Sequence, residues 1–339
     1  MGNLKKLQSH LNNWMLIYTL ILMVVGVLIG YDHTATSWVK ANQQFLTLLN
    51  TVAVFFIIYP MMVNVKLELL LKSIKNWKAL LLSLIYNFVW APIFGYFIAT
   101  YMIKDPTLSI GFLLVMVVPC SSMSITYTGL SEGDVELSTM IVALSFIAAI
   151  FAVPFWMGIF ASHTNVPVPT GQLLMSILEV LILPMVLGYL TRTLLVKAFG
   201  EEKFKNIQPI FPSISIISMY ILIFLIFFSK AGMVVDKIGL ILFLLVPNAI
   251  FIAITLLVVT WLNKVFRFSY KQHMAIVFAS TGKNNGTAVA LATAAFSPMV
   301  AIPAATMPIF QIILLILYLK GAPWIKKYYE PVNKRILDE

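Results

Sequence analysis

Apolar runs of about 20 residues, parted by short charged stretches, recur along this chain and carry no polar face. Runs of that kind predict membrane-spanning helices, not amphipathic helices lying on a surface. The pattern predicts ten spans: 14–31, 44–64, 79–103, 107–130, 136–161, 173–196, 209–230, 238–262, 272–296 and 299–319. The most charged connections run from Lys66 to Lys78, from Arg192 to Lys205, from Lys264 to Lys271 and along the tail from Lys320. None is long enough to hold a catalytic domain. The expected fold class is an all-α membrane protein.

Basic residues then orient the spans. With the N-terminus inside, 18 of the 23 Lys and Arg residues fall on the cytoplasmic side. Four (Lys40, Lys104, Lys230 and Lys237) fall outside, which is a strong positive-inside signal. It places both termini in the cytoplasm and favours an even number of spans. The plasma membrane is the expected location. One cytoplasmic loop breaks the rule, carrying Glu132, Asp134 and Glu136 and no basic residue.

Ten spans divide into halves of five, 1–165 and 166–339. An odd number of spans per half forces inverted topology on any internal repeat. The fourth span contains the break signal Val118-Pro119-Cys120-Ser121-Ser122, and the ninth contains Thr281-Gly282-Lys283-Asn284-Asn285. Interrupted segments at corresponding places in two halves point to a midplane binding site.

Composition narrows the function classes. The chain is 60% hydrophobic and 11% charged, unlike a soluble domain. Its net charge of +10 lies between spans, so it marks topology and not nucleic-acid binding. The single cysteine, Cys120, excludes an internal disulfide. The first apolar run has no clear cleavage site after it, so the first helix is expected to be retained. There is no phosphate-binding Gly-rich loop, metal-ligand cluster, haem ligand pair or catalytic triad, so neither an enzyme nor a resident cofactor is expected.

Lys283 stands out as the one Lys or Arg placed deep in a span. An ammonium there costs several kcal/mol and is normally functional; the plainer reading is a lysine snorkelling from a helix end. Beside it Asn284 and Asn285 bring carboxamides that need partners in hydrocarbon, Ser280 and Thr281 bring hydroxyls, and Gly282 and Gly286 permit unusual backbone. In the fourth span Pro119 disrupts the preceding turn. Ser121, Ser122, Ser124, Thr126 and Thr128 follow it, placed either to satisfy freed carbonyls or to hold a solute.

Other polar residues are less specific. Asn87, five residues before Pro92, reads alone as interhelical packing. Glu179 reads as an interfacial carboxylate, a counter-ion for Lys283 or a proton carrier. His273 reads as interfacial. Cys120 is either a small apolar filler or a soft ligand for a thiophilic solute.

These motifs resemble the bile acid:sodium symporter superfamily, which includes the arsenite permeases. Pro119 to Thr128 with Gly133-Asp134-Val135-Glu136-Leu137-Ser138 is similar to the family's first crossing segment and its exit. Asn87-Phe88-Val89 with Pro92, and Gly282 to Ala292, are similar to two further family segments. The resemblance implies ten helices in a core and a panel domain, crossing fourth and ninth helices, and alternating access beside the crossing.

Against the family's sodium ligands, Ser124, Ser138, Asn87 and Asn284 match. Ile125, Val142 and Ser280 replace an asparagine, a threonine and a glutamate. Losing that carboxylate and gaining Lys283 implies weak sodium dependence. A resident ammonium can substitute for a bound cation or release a proton during the cycle. The arsenite branch is similar in Pro119-Cys120 and Asn284-Asn285, but Thr287 stands where that branch has a glutamate.

The leading expectation is a secondary transporter of a small organic anion or similar solute. Lys283 would supply charge, and Asn284, Asn285, Ser121 and Ser122 would supply hydrogen bonds. The alternatives are arsenite or antimonite extrusion through Cys120 and, lower, a membrane sensor without transport.

Overall fold

Capping and breaking residues decide where the helices start and stop. A computed structural model describes residues 2–64, 76–164 and 170–338. The basic connection from Lys66 to residue 75, and the expected division between the halves at 165 and 166, lie outside the described residues. Among the described residues the secondary structure is helical. Seven helices are long and apolar enough to cross a membrane, and an eighth is gained if the bent pair Leu4–Asn13 and Met15–Gly30 is one span. The two expected crossing segments fail that length test because each is interrupted. The first is Pro106–Val117 followed by Met123–Leu130. The second is Tyr270–Thr281 followed by Asn285–Ala295.

The chain forms two compact units, each drawn from both halves. One comprises Met1–Val65, Pro167–Phe243 and Gly286–Thr306. Within it, helix Ile210–Ser229 packs against Met15–Gly30 and Gln43–Val63, and Leu183–Ile207 packs against Gln43–Val63. Hydrogen bonds from Tyr59 Oη to Thr191 Oγ1 (2.9 Å) and from Tyr220 Oη to the Leu11 carbonyl (2.9 Å) tie these helices.

The other unit comprises Lys66–Val166, Leu244–Asn285 and Met307–Glu339. It holds both breaks. Asp105 caps the first crossing helix, accepting from the Thr107 and Leu108 amides at 3.0 and 3.1 Å, with Pro106 in its first turn. That helix ends at Val117, before Pro119, which cannot donate to the ladder. Ser269 and Gln272 form a reciprocal capping box that starts Tyr270–Thr281, and this helix ends at Gly282. The last described helix is Ala322–Asp338, here called the tail helix.

Helix Trp77–Met102 carries a local irregularity with a clear cause. Pro92 has no amide hydrogen for the Phe88 carbonyl, and residues Tyr86–Trp90 widen into a π turn. The Ala91 amide bonds to the Tyr86 carbonyl, five residues back. The Asn87 carbonyl, its usual partner four residues back, is therefore released, as is that of Phe88. The Trp156 indole takes the Phe88 carbonyl at 2.7 Å.

Candidate functional site at the crossing of two broken helices

Within the second unit the two breaks meet through their backbones. Cys120 and Lys283 form an isolated antiparallel bridge. The Ser121 amide donates to the Gly282 carbonyl at 2.7 Å, and the Asn284 amide donates to the Pro119 carbonyl at 2.9 Å. Each break thus supplies backbone hydrogen-bond partners to the other, which lets irregular backbone exist buried inside the protein. Gly282 is required by close approach: a Cβ there would lie 2.6 Å from Ser124 Oγ and 2.7 Å from the Phe278 carbonyl.

Lys283 is fully buried. Its ammonium donates to the Asn87 carbonyl at 3.0 Å, to Asn87 Oδ1 at 3.2 Å and to the Met116 carbonyl at 2.9 Å. An ammonium has three donors, so this set satisfies it. Each acceptor has a local origin. The π turn frees the Asn87 carbonyl. The Met116 carbonyl is free because the helix stops at Val117, and the Cys120 amide that would have bonded it goes to Ser145 Oγ at 3.2 Å. The partial negative charge at that helix C-terminus also favours a cation. The Phe88 ring lies 5.9 Å from Nζ, within cation–π range. Among the described residues Lys283 has no carboxylate partner. Glu179 is exposed in the other unit.

The remaining expected site residues divide. Ser124 Oγ donates to the Phe278 carbonyl at 2.9 Å and so locks one crossing segment to the other. Ser138 accepts from Thr128 Oγ1 at 3.3 Å, near the exit of the first segment. Ser121 Oγ accepts from the Met123 amide at 3.2 Å, while Ser122 is half-buried beside it. Ser280 and Thr281 turn back on their own helix, donating to Ile276 and Val277 carbonyls at 2.7 Å each. Cys120 is buried, with its Sγ 3.2 Å from Ser145 Oγ. Asn284 and Asn285 are buried at the second break, and Asn285 Oδ1 has no hydrogen-bond partner among the described residues.

Some residues at the crossing were not evident from sequence. Met116 contributes only a carbonyl, which no side-chain pattern reveals. Ser145 and Gln311 are isolated polar positions in apolar helices. Gln311 Nε2 donates to the Lys283 carbonyl at 3.2 Å, and its Oε1 is buried without a partner among the described residues. His273, expected at the interface, is fully buried between Asn263 (3.0 Å) and Tyr318 (2.8 Å).

A sequence profile of the sodium bile acid symporter family matches residues 51–237, more than half of the chain. The chain belongs to the sodium bile acid symporter family. Its similarity to individual members of the family is distant but long. It is 24% identical over 254 residues to the arsenical-resistance protein Acr3 of Alkaliphilus metalliredigens, covering 70% of each chain. It is 25% identical over 317 residues to an uncharacterized transporter, slr0944, of Synechocystis, covering 86% of this chain and 81% of the relative. It is also 25% identical over 291 residues to the probable chloroplastic sodium/metabolite cotransporter BASS2 of rice, covering 84% and 65%. The chain is therefore a multi-pass membrane transporter of a small molecule or ion, and not an enzyme.

Proposed function

We propose that this chain is a secondary active transporter of a small organic anion or related solute, working by alternating access across the plasma membrane. It has little dependence on sodium, and Lys283 carries the coupling proton. The observation that carries this reading is the ammonium at the crossing, bound by three oxygens that bear no formal charge. A fixed positive charge in a low-dielectric site attracts an anion far more strongly than it would in water. Its donors are already taken, so the solute is held by charge together with Asn284, Asn285, Ser121 and Ser122. The unpartnered oxygens of Asn285 and Gln311 accept from hydroxyls of the solute or from water.

The accompanying architecture is ten spans in two inverted repeats, 1–165 and 166–339, with both termini cytoplasmic. The arrangement of the units supports this. Each half contributes its first two expected spans to the first unit and a segment reaching a break to the second. The first unit then corresponds to a panel domain and the second to a core. Purified protein in proteoliposomes, assayed against a panel of labelled organic anions, tests the reading. Uptake driven by a pH gradient and indifferent to sodium supports it. Uptake that requires sodium and ignores pH contradicts it.

A second reading, extrusion of arsenite or antimonite, is favoured by Cys120 at the bridge and by the similarity to Acr3. It ranks below the first because the thiol is buried against Ser145 and Thr287 supplies no carboxylate.

A further inference from the structure

The tail helix Ala322–Asp338 does not simply trail from the second unit. Tyr329 is fully buried, its ring stacked on His273 at 4.5 Å and 12°. Its hydroxyl donates to the Thr260 carbonyl at 2.7 Å. Lys326 pairs with Glu132 at 2.8 Å, in the turn that follows the first crossing segment. Glu132 holds a left-handed backbone (φ 58°), a conformation that is strained for a glutamate and persists where contacts enforce it. Lys264 Nζ lies 3.4 Å from the centre of the Tyr328 ring. The helix therefore grips the exit of one crossing segment and the start of the other. Those same two places are already joined to each other, by Tyr270 Oη to the Ser131 carbonyl (2.8 Å) and by the Asp134 amide to the Lys271 carbonyl (3.0 Å).

His273 links this grip to the crossing. Asn263 Nδ2 donates to His273 Nδ1, which leaves Nε2 to donate to Tyr318. Tyr318 in turn bonds Thr260, the residue whose carbonyl receives Tyr329. On the other side Asn263 Oδ1 accepts from Tyr86 Oη at 3.2 Å. Tyr86 opens the π turn that releases the Asn87 carbonyl to Lys283. An unbroken series of buried and half-buried contacts thus runs from Tyr329 to the Lys283 ammonium, and its members have defined partners at every step.

We propose that the C-terminal helix is a latch on the transport core and that His273 is the positioning residue through which it acts. With the helix seated, His273, Asn263 and Tyr86 hold the π turn that presents Asn87 to Lys283. With the helix lifted, that support is lost and the crossing opens. The proposal rests on the transporter reading for its purpose, but its test does not depend on any solute.

Cys120 is the only cysteine of the chain and sits buried at the bridge, so its alkylation reports opening without background. Full-length protein in lipid nanodiscs is labelled with a small maleimide, and tail release is followed by trypsin cleavage after Lys326 and Lys327. Tyr329→Ala is expected to raise the labelling rate about tenfold, as local opening becomes easier. His273→Ala is expected to give a similar rise, and the double variant no more than either. Tyr329→Phe, which keeps the ring stack, is expected to stay near wild type. Should Tyr329→Ala fail to fold, Lys326→Glu carries the test: it should speed labelling, and Glu132→Lys in the same chain should restore it. A released tail with unchanged Cys120 labelling overturns the latch, as does a rise in Lys326→Glu that the charge swap fails to restore. Transport with unchanged labelling removes the latch alone. Labelling that follows the tail in a protein that moves no solute removes the transport reading alone.

Discussion

Replacing Asn87 by leucine removes one of three oxygens around a buried ammonium. Lys283 then keeps the two carbonyls, at 3.0 and 2.9 Å, and loses Oδ1 at 3.2 Å. Hydrogen bonds to charged groups contribute about 1.5–3 kcal/mol, and an unsatisfied buried charge loses at least that much. A contact at 3.2 Å belongs near the lower end, so the expected loss is about 2 kcal/mol, a fall of several degrees in unfolding midpoint for a chain of this size. Lys283→Met removes the ammonium with its desolvation penalty but leaves three buried oxygens without a donor, so it should itself lose about 1–3 kcal/mol. The decisive quantity is the coupling. Once methionine is present, Asn87→Leu should lose less than about 1 kcal/mol, leaving an interaction term of about 1 kcal/mol or more. Thermal unfolding of the four proteins in one detergent measures it. Strict additivity would refute the claim that Asn87 serves the ammonium.

Sodium should neither raise the unfolding midpoint nor speed flux relative to potassium, since by the family resemblance Ser280 and Ile125 stand where sodium-coupled members carry a carboxylate and a carboxamide; a saturable shift seen only with sodium would contradict this. Cys120→Ser should be tolerated if the solute is an organic anion and should abolish protection if it is arsenite. Growth of a sensitive host on arsenite decides, and little or no wild-type protection is expected. Glu132 is held below the usual carboxylate range, first by its hydrogen bond to Lys326 and then by the charge of that lysine. A depressed folded-state value means that the pair's contribution is present above the ordinary carboxylate value and is lost as pH falls through the depressed one. The unfolding midpoint should therefore fall more on acidification through this range in wild type than in Glu132→Gln.

Residue chemistry made part of this site legible in the sequence. Pro119 and Gly282 mark breaks because one lacks an amide hydrogen and the other lacks a Cβ, and both effects are local. Lys283 is legible because a charge inside an apolar run needs a reason. What surrounds Lys283 was not legible, since two of its three partners are carbonyls. A carbonyl becomes available through a π turn or a helix end, and neither leaves a side-chain signature. Asn87 taken alone therefore reads as packing, and only the family resemblance places it among the ion-binding positions. Ser280 and Thr281 read as hydroxyls available to the site; in the structure each donates to the carbonyl four residues back, the ordinary local option for a hydroxyl in a helix, and keeps its lone pairs. His273 looked interfacial because its place near a span end was visible and the tail helix that covers it was not. The basic tail from Lys320 reads as a topology signal, and only tertiary packing shows Tyr329 buried within it.

The central claim is that the Lys283 ammonium is the cation on which transport turns. The most direct measurement is pH-gradient-driven uptake by Lys283→Ala in proteoliposomes, beside wild type and with reconstitution matched. Removing the ammonium relieves its burial, so the variant should insert and fold, yet its coupled uptake should vanish together with the pH dependence. Uptake at the wild-type rate with the wild-type pH profile would show that Lys283 is only structural.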